Sequence, residues 1–198
     1  MAATATTPSS KTAPMPDSIA VLLGLAAVGA AVSLALGVYA SVHTPTFQGI
    51  VAFGFPAVLP MKAWFTTIAM ALAVMQLGSS LWMYGRLPFA QARVGEAPSW
   101  LGAAHRWTGT VAFLFTLPVA YHCLWALGFQ STDTRVLVHS LLGCAFYGAF
   151  TTKMLVLRSD RVPDRSLPTA GGLLFVILTG LWLTSSLWFF RTVGFPGV

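Results

Sequence analysis

The chain has 198 residues, of which 56% are hydrophobic and only 8% are charged. Soluble domains carry about a quarter charged residues, so this composition excludes a soluble domain and indicates an integral membrane protein. The formal net charge of +6 therefore reports membrane topology and is not a sign of nucleic-acid binding.

Residues 1–17 are small, polar and rich in proline, as is typical of a disordered tail. Five apolar runs follow, and each has about the 20 residues that a helix needs to cross the hydrocarbon core. A helix is expected because the bilayer interior offers no water to bind free backbone groups. The predicted spans are residues 18–42, 63–84, 107–129, 136–157 and 167–190, followed by a short tail at 191–198. The sequence thus predicts an all-α membrane protein, a bundle of five transmembrane helices.

The basic residues divide unequally between the two sides of a five-span chain. Eight lie on the side of the N-terminus: Lys11, Arg86, Arg93, Arg106, Lys153, Arg158, Arg161 and Arg165. Three lie on the other side: Lys62, Arg135 and Arg191. Because Lys and Arg are enriched in cytoplasmic loops, we expect a cytoplasmic N-terminus and an external C-terminus in a bacterial-type cytoplasmic membrane.

The connection between the first two spans, residues 44–61, is apolar but interrupted by prolines and glycines. It is too broken to form a further span. Two interpretations remain open: an interfacial or re-entrant loop packed on the bundle, or a cover or docking surface over a site on the outer face.

Two histidines lie inside apolar spans at similar depth. His122 precedes Phe129 by seven residues and His139 follows Thr134 by five, which puts them about 10 and 8 Å below the outer helix ends. Ionisable residues within spans are costly and usually functional, and neutral imidazole is a common metal ligand. Two imidazoles at matched depth on neighbouring helices can bind one haem iron from opposite faces. A histidine pair that fixes helix packing, a proton relay and a non-haem metal site are the alternatives.

The neighbours of His139 fit a haem site. Arg135 and Gly143 lie four residues before and after it, on the same helix face. Gly143 leaves room for a flat macrocycle, and Arg135 at the interface can bind a haem propionate. His43 is a candidate alternative ligand or a hydrogen-bond partner of a propionate or quinol. His105 is either a ligand of a second haem or an interface anchor, so we expect one haem b, with two as the alternative.

Three segments of the third and fourth spans carry a family resemblance: H-R-W-T-G at 105–109, L-P-V-A-Y-H at 117–122 and R-V-L-V-H-S-L-L-G at 135–143. They resemble the membrane cytochromes b of the helical-bundle type. These include the ascorbate- and ferric-reductase relatives and the cytochrome b subunits of respiratory dehydrogenases. The resemblance implies b-type haem, iron ligation by His122 and His139, and one-electron transfer through the membrane.

The expected function is electron transfer between a quinol or other membrane donor and an external redox partner, through a haem near the outer face. The chain has no extramembrane domain large enough for flavin or nicotinamide, so a catalytic partner would be another subunit of an oxidoreductase complex. Two other classes of function stay open. One is a cofactor-free subunit that anchors or assembles a complex, and the other is a small transporter or proton channel.

Overall fold

The structure is a computed structural model that describes residues 16–49, 51–87 and 97–195. These residues contain helices, turns and irregular segments but no β-strand. The α-helices, in chain order, are α1 (Pro16–Val42), α2 (Val58–Met83), α3 (Ser99–Tyr121), α4 (Thr134–Leu157), α5 (Ser166–Trp182) and α6 (Trp188–Thr192). Two π-helical turns complete the third and fifth spans: π1 (His122–Leu127) continues α3, and π2 (Leu183–Leu187) joins α5 to α6.

Five helical segments are long and apolar enough to cross a membrane: Asp17–Val42, Val58–Met83, Ser99–Leu127, Thr134–Leu157 and Ser166–Thr192. The prediction of an all-α, multi-pass membrane protein is therefore confirmed. Two spans begin earlier than residues 63 and 107, because Lys62 and Arg106 lie within helices rather than before them. The Arg106 side chain is exposed, so its charged end can reach the polar interface.

The predicted tails lie largely outside the described residues. Residues 1–15 of the tail at 1–17, and residues 196–198 of the tail at 191–198, belong to the part of the chain that the structure does not describe. The connections alternate between the two ends of the bundle. We call the end that carries residues 43–57, 128–133 and 193–195 the far end, and the end where α1 begins the near end.

α1 packs closely on α4 because two glycines meet. A Cβ atom added to Gly148 would lie 2.3 Å from the carbonyl oxygen of Gly29, and one added to Gly29 would lie 2.4 Å from that of Gly148. Small side chains recur every four residues on both surfaces: Gly29, Ser33 and Gly37 on α1, and Cys144, Gly148 and Thr152 on α4. Such spacing lets two membrane helices approach closely and gain van der Waals contact.

The other helices complete a ring in which α4 packs on α5, α5 and π2 pack on α2, and α2 packs on α3. α3 and α4 meet mainly through long side chains. The Tyr147 hydroxyl donates to the carbonyl oxygen of Thr116 at 3.1 Å, and the rings of Phe113 and Phe150 stack with centroids 4.0 Å apart. These bridges lie near the middle of the helices, which leaves α3 and α4 separated toward the far end.

The connection between α1 and α2 has no regular structure in its described residues and lies against the bundle. The backbone N–H of Phe47 donates to the carbonyl oxygen of Ala126 at 2.9 Å, at the end of the third span. The rings of Phe53 and Phe55 pack against Phe65 of α2, with centroids 5.4 and 6.0 Å away. These contacts agree with the interpretation of a loop packed on the bundle.

Candidate functional site

A cavity of about 250 Å³ lies in the far half of the bundle, with walls from α2, the third span, α4 and the fifth span. Its surface is largely apolar. Both π1 and π2 contribute side chains to it, and π-helical turns occur frequently at functional sites. Its polar side chains include Lys62, Cys123, Arg135, His139, Ser140 and Ser185. This cavity is the candidate functional site.

His139 lines the cavity, and its protonation is set by Thr184 of π2. The Nδ1 atom of His139 lies 3.0 Å from the Thr184 hydroxyl oxygen. In the arrangement in which that hydroxyl donates its single hydrogen to the carbonyl oxygen of Gly180, 2.7 Å away, it accepts from Nδ1 of His139. Nδ1 then carries a proton, and Nε2 of a neutral ring keeps a free lone pair. This is the state in which imidazole binds a metal.

Arg135 also lines the cavity, but its guanidinium is already bound on several sides. One N–H donates to the carbonyl oxygen of Thr184 at 2.8 Å. The guanidinium carbon lies 4.1 Å from the centroid of the Trp188 ring, and the carboxylate of Asp133 is 3.9 Å away. Asp133 also caps α4 by accepting from the backbone N–H of Val136 at 2.9 Å. Arg135 is thus a fixed part of the wall.

Lys62, by contrast, has little to bind. Its ammonium nitrogen lies 3.7 Å from the Cys123 sulfur, and within the described ranges no carboxylate approaches it. A thiol is a weak hydrogen-bond acceptor, so this contact compensates the charge poorly. The cavity therefore contains one cation that is well paired and one that is not.

Gly143 lines the cavity without a side chain. A Cβ atom added there would meet nothing within 4 Å, whereas one added to Gly180 would lie 2.7 Å from Leu142. The absence of a side chain at Gly143 therefore adds open space to the cavity, one helical turn from His139, as the sequence predicted.

His122 is almost completely buried, with 2% of its surface exposed. Its Nδ1 atom lies 2.8 Å from the carbonyl oxygen of Pro118, which can only accept. Nδ1 must therefore donate, and Nε2 is left as a buried acceptor with no partner in the described chain. The free lone pair again suits a metal ligand. However, the neighbouring Cys123 lines the cavity and His122 does not.

The structure thus places the predicted pair in the same half of the bundle but does not bring both rings into one cavity. Ligation of a single iron by His122 and His139 stays a prediction. Across residues 16–49, 51–87 and 97–195, no group of three or more His, Cys, Asp and Glu side chains could hold a metal ion.

His43 lies outside the cavity, at the far end of α1. Its ring is stacked on Tyr39 and packs against Trp125, with centroids 5.2 and 4.6 Å away. Its Nε2 atom donates to the carbonyl oxygen of Trp125 at 3.0 Å. The structure therefore joins His43 to π1, and its predicted role as a ligand or propionate partner stays a prediction.

His105 belongs to a separate polar cluster near the near end, between α2 and α3. Its Nδ1 atom lies 2.7 Å from the Ser79 hydroxyl oxygen. The side-chain amide of Gln76 donates to the backbone carbonyl of His105 and, at 2.5 Å, to the hydroxyl of Thr108. A Cβ atom on Gly109 would lie 2.9 Å from the Gln76 amide oxygen, so glycine is needed for this approach. The cluster fastens α2 to α3.

Sequence reasoning missed two residues of the cavity, Lys62 and Thr184. Thr184 begins the T-S-S triplet at 184–186 in an otherwise apolar span, and this interruption was the available signal. Lys62 was treated only as a topology marker. Its place in the fifth position of α2, directed to the cavity, depends on where that helix begins.

No curated protein and no solved structure is similar to the chain. A family model does match it over residues 21–197, which include most of the first span and all of the other four. The chain therefore belongs to that family, a family of unknown function (DUF6529).

Proposed function

We propose that the protein is a membrane electron-transfer protein whose far-half cavity would hold a b-type haem, with His139 as a residue that would bind its iron. One observation carries the proposal: a histidine with its Nδ1 held by Thr184 lines an apolar cavity inside a membrane bundle. An imidazole oriented in this way by a hydrogen bond at Nδ1 is the common form of a metal-binding histidine. Bound there, haem would supply one-electron chemistry.

The walls support a flat apolar ligand. Gly143 adds open space beside His139, and most of the remaining lining is apolar. The volume of about 250 Å³ is below the roughly 300 Å³ at which ligand pockets usually begin, so a macrocycle requires the walls to move apart. α3 and α4 are bridged near the middle of the bundle by side chains rather than by close backbone packing. They can therefore separate without loss of the α1–α4 contact.

His122 is the proposed second ligand. A buried nitrogen acceptor without a partner costs about 1–3 kcal/mol, and binding to iron would remove that cost. Its position at the first residue of π1 also supports the proposal, since a π-turn changes the direction in which following side chains point. Ligation requires the ring to turn toward the cavity that its neighbour Cys123 already lines.

The distribution of basic residues supports one orientation of the cavity in the membrane. With the N-terminus in the cytoplasm, the cavity lies toward the outer face of a bacterial-type cytoplasmic membrane. A haem held in this cavity would supply electron transfer between a quinol or another membrane donor and an external redox partner. Such a partner would be a separate subunit or protein.

The first experiment is to purify the full chain in mild detergent from haem-replete cells and to record oxidised and reduced absorption spectra, with a pyridine haemochrome for stoichiometry. We expect a Soret band and a reduced α-band that disappear in His139→Ala. Loss of the same bands in His122→Ala, or their change to a five-coordinate high-spin spectrum, supports bis-histidine ligation, whereas an unchanged six-coordinate low-spin spectrum contradicts the role of His122. A colourless, folded protein would reject the proposal.

The size of the cavity favours a second candidate, a quinone site without haem. A single quinone ring fits the volume without movement of the walls. Lys62 offers a donor to an oxygen of the quinone, and Nε2 of His139 offers an acceptor for a hydroxyl of the reduced quinol. A colourless protein that binds a short-chain quinone, and loses this binding in His139→Ala, would support this candidate over the first.

A further inference from the structure

Lys62 is a cation in a largely apolar cavity without a compensating anion from the protein. Its ammonium nitrogen has a single polar contact in the described chain, the Cys123 sulfur at 3.7 Å. A charged side chain within a membrane span is costly and normally pairs with an opposite charge or faces water. Lys62 lines the cavity, so its missing partner is to be sought in what the cavity binds.

Arg135 does not need an anion from a ligand. Its guanidinium binds the Thr184 carbonyl oxygen at 2.8 Å, packs on the Trp188 ring and has the Asp133 carboxylate 3.9 Å away. The Asp133 carboxylate already offsets the charge of the guanidinium, although only one of its N–H donors forms a hydrogen bond in the described chain. The sequence-based assignment of Arg135 as the propionate partner therefore fits the structure less well than an assignment to Lys62.

The protein itself offers no second anion for Lys62. At the described far end, Asp133 is the only acidic side chain, and it already serves Arg135 and the cap of α4. The balancing charge must therefore come from solvent or from a ligand. Since Lys62 and His139 line the same cavity, a ligand that binds His139 can place a carboxylate on Lys62.

We infer that Lys62 binds a carboxylate of the cavity's ligand and is the residue that selects an anionic ligand. This inference rests on the proposed function: for a b-type haem the carboxylate is a propionate. Arg135 instead fixes Thr184, and through Thr184 it holds His139. The contact between Lys62 and Cys123 is then the resting position of the lysine before the ligand binds.

The test is a titration of the haem-depleted, full-length protein in detergent with two porphyrins, protohaem and its dimethyl ester, followed by the Soret band. The ester has the same ring and iron but no carboxylate. Wild type should bind protohaem about ten- to a hundredfold more tightly than the ester, as expected for one charge-assisted hydrogen bond. Lys62→Met should weaken protohaem binding by a similar factor and leave ester binding unchanged.

Two further variants separate charge from structure. Lys62→Arg keeps the charge and should retain most of the preference for protohaem. Lys153→Met removes another lysine inside a span, on α4 toward the near end, and should keep the full preference. Should Lys62→Met fail to fold, the comparison of the two porphyrins in wild type and Lys62→Arg still tests the need for a carboxylate.

The outcomes distinguish the two proposals. Binding of protohaem and ester with equal affinity by wild type, or equal loss of both in Lys62→Met, overturns the role of Lys62 but leaves the haem site in place. Failure of wild type to bind either porphyrin overturns the haem site and with it the assignment of Lys62.

Discussion

Thr184 connects two residues of α4 to the fifth span. Its hydroxyl oxygen accepts from His139 and its backbone carbonyl accepts from Arg135, at 3.0 and 2.8 Å. The same hydroxyl lies 2.7 Å from the carbonyl oxygen of Gly180, and by donating to it the hydroxyl is left to accept from the ring. One threonine therefore sets both the tautomer of His139 and the position of the neighbouring cation.

We predict that Thr184→Val destabilises the protein and alters the haem, whereas Thr184→Ser does neither. Valine has nearly the same shape but leaves the Nδ1–H of His139 without an acceptor, which costs about 1–3 kcal/mol of unfolding free energy. Because a hydrogen bond at Nδ1 makes the imidazole more basic, its loss should raise the reduction potential of a bound haem. Thermal unfolding and a redox titration check the two effects. An unchanged potential with reduced stability would leave Thr184 a packing residue.

For single residues, the sequence predicted the depth of the two histidines in the membrane better than the direction in which their side chains point. The depth of a histidine follows from a nearly constant rise per residue, so His122 and His139 were correctly placed in the same half of the bundle. The direction of a side chain changes by about 100° per residue and depends on every local change in winding. Pro118 and π1 lie beside His122, and the partner of His139 is 45 residues away on another helix.

Among the helical elements, α1 depends on a single partner. Within the described structure it packs mainly on α4, and the small residues around Gly29 and Gly148 set how closely the two helices approach. Most of the remaining surface of α1 is exposed in the isolated chain, as expected for a helix that faces lipid. The contact between the two glycines should therefore determine whether α1 stays attached.

We predict that Gly148→Ala lowers the free energy of unfolding by about 1–3 kcal/mol, because the new methyl group would overlap the backbone of Gly29. Gly24→Ala is the matched control, since a Cβ atom on Gly24 meets nothing within 4 Å. The control should be neutral or slightly stabilising because alanine favours helix. Thermal unfolding in detergent measures both variants; equal melting temperatures would contradict the proposed role of the contact.

The number of spans could be read from the sequence because a bilayer demands about 20 apolar residues per helix. The first residues of the spans could not be predicted in the same way. A search for uncharged runs places the start after Lys62 and after Arg106, whereas the structure includes these two residues in α2 and α3. The two π-turns also left no clear sequence signal. Each is a local change in hydrogen bonding whose cause lies in the packing around it.

For the whole molecule, the orientation in the membrane decides which side of the membrane the cavity faces. Eight basic residues on one side and three on the other favour a cytoplasmic N-terminus. Several of the eight flank the short connection between α4 and α5, including Arg158, Arg161 and Arg165. This cluster should dominate the topology, because short loops carry the signal most strongly.

Reporter fusions test the orientation. Alkaline phosphatase fused after residue 198 should be active and green fluorescent protein at the same place should be dark, since the C-terminus is expected outside. Fusions after Ser159, which lies just beyond the end of α4 on the opposite side, should show the reverse pattern. Inverted results at both positions would place the cavity toward the cytoplasm.

The contacts that join the helices are spread unevenly through the membrane. Gln76 fastens α2 to α3, Gly29 meets Gly148, and Phe113 stacks on Phe150 near the middle or toward the near end. The far half has the cavity and two π-turns, and there Thr184 joins the fifth span to α4. The side-chain bridges between α3 and α4 lie nearer the middle, so these two helices leave the cavity between them in the far half. If the cavity binds haem as proposed and faces the outside, the haem would enter after that half of the chain has crossed the membrane, and maturation would depend on delivery from outside.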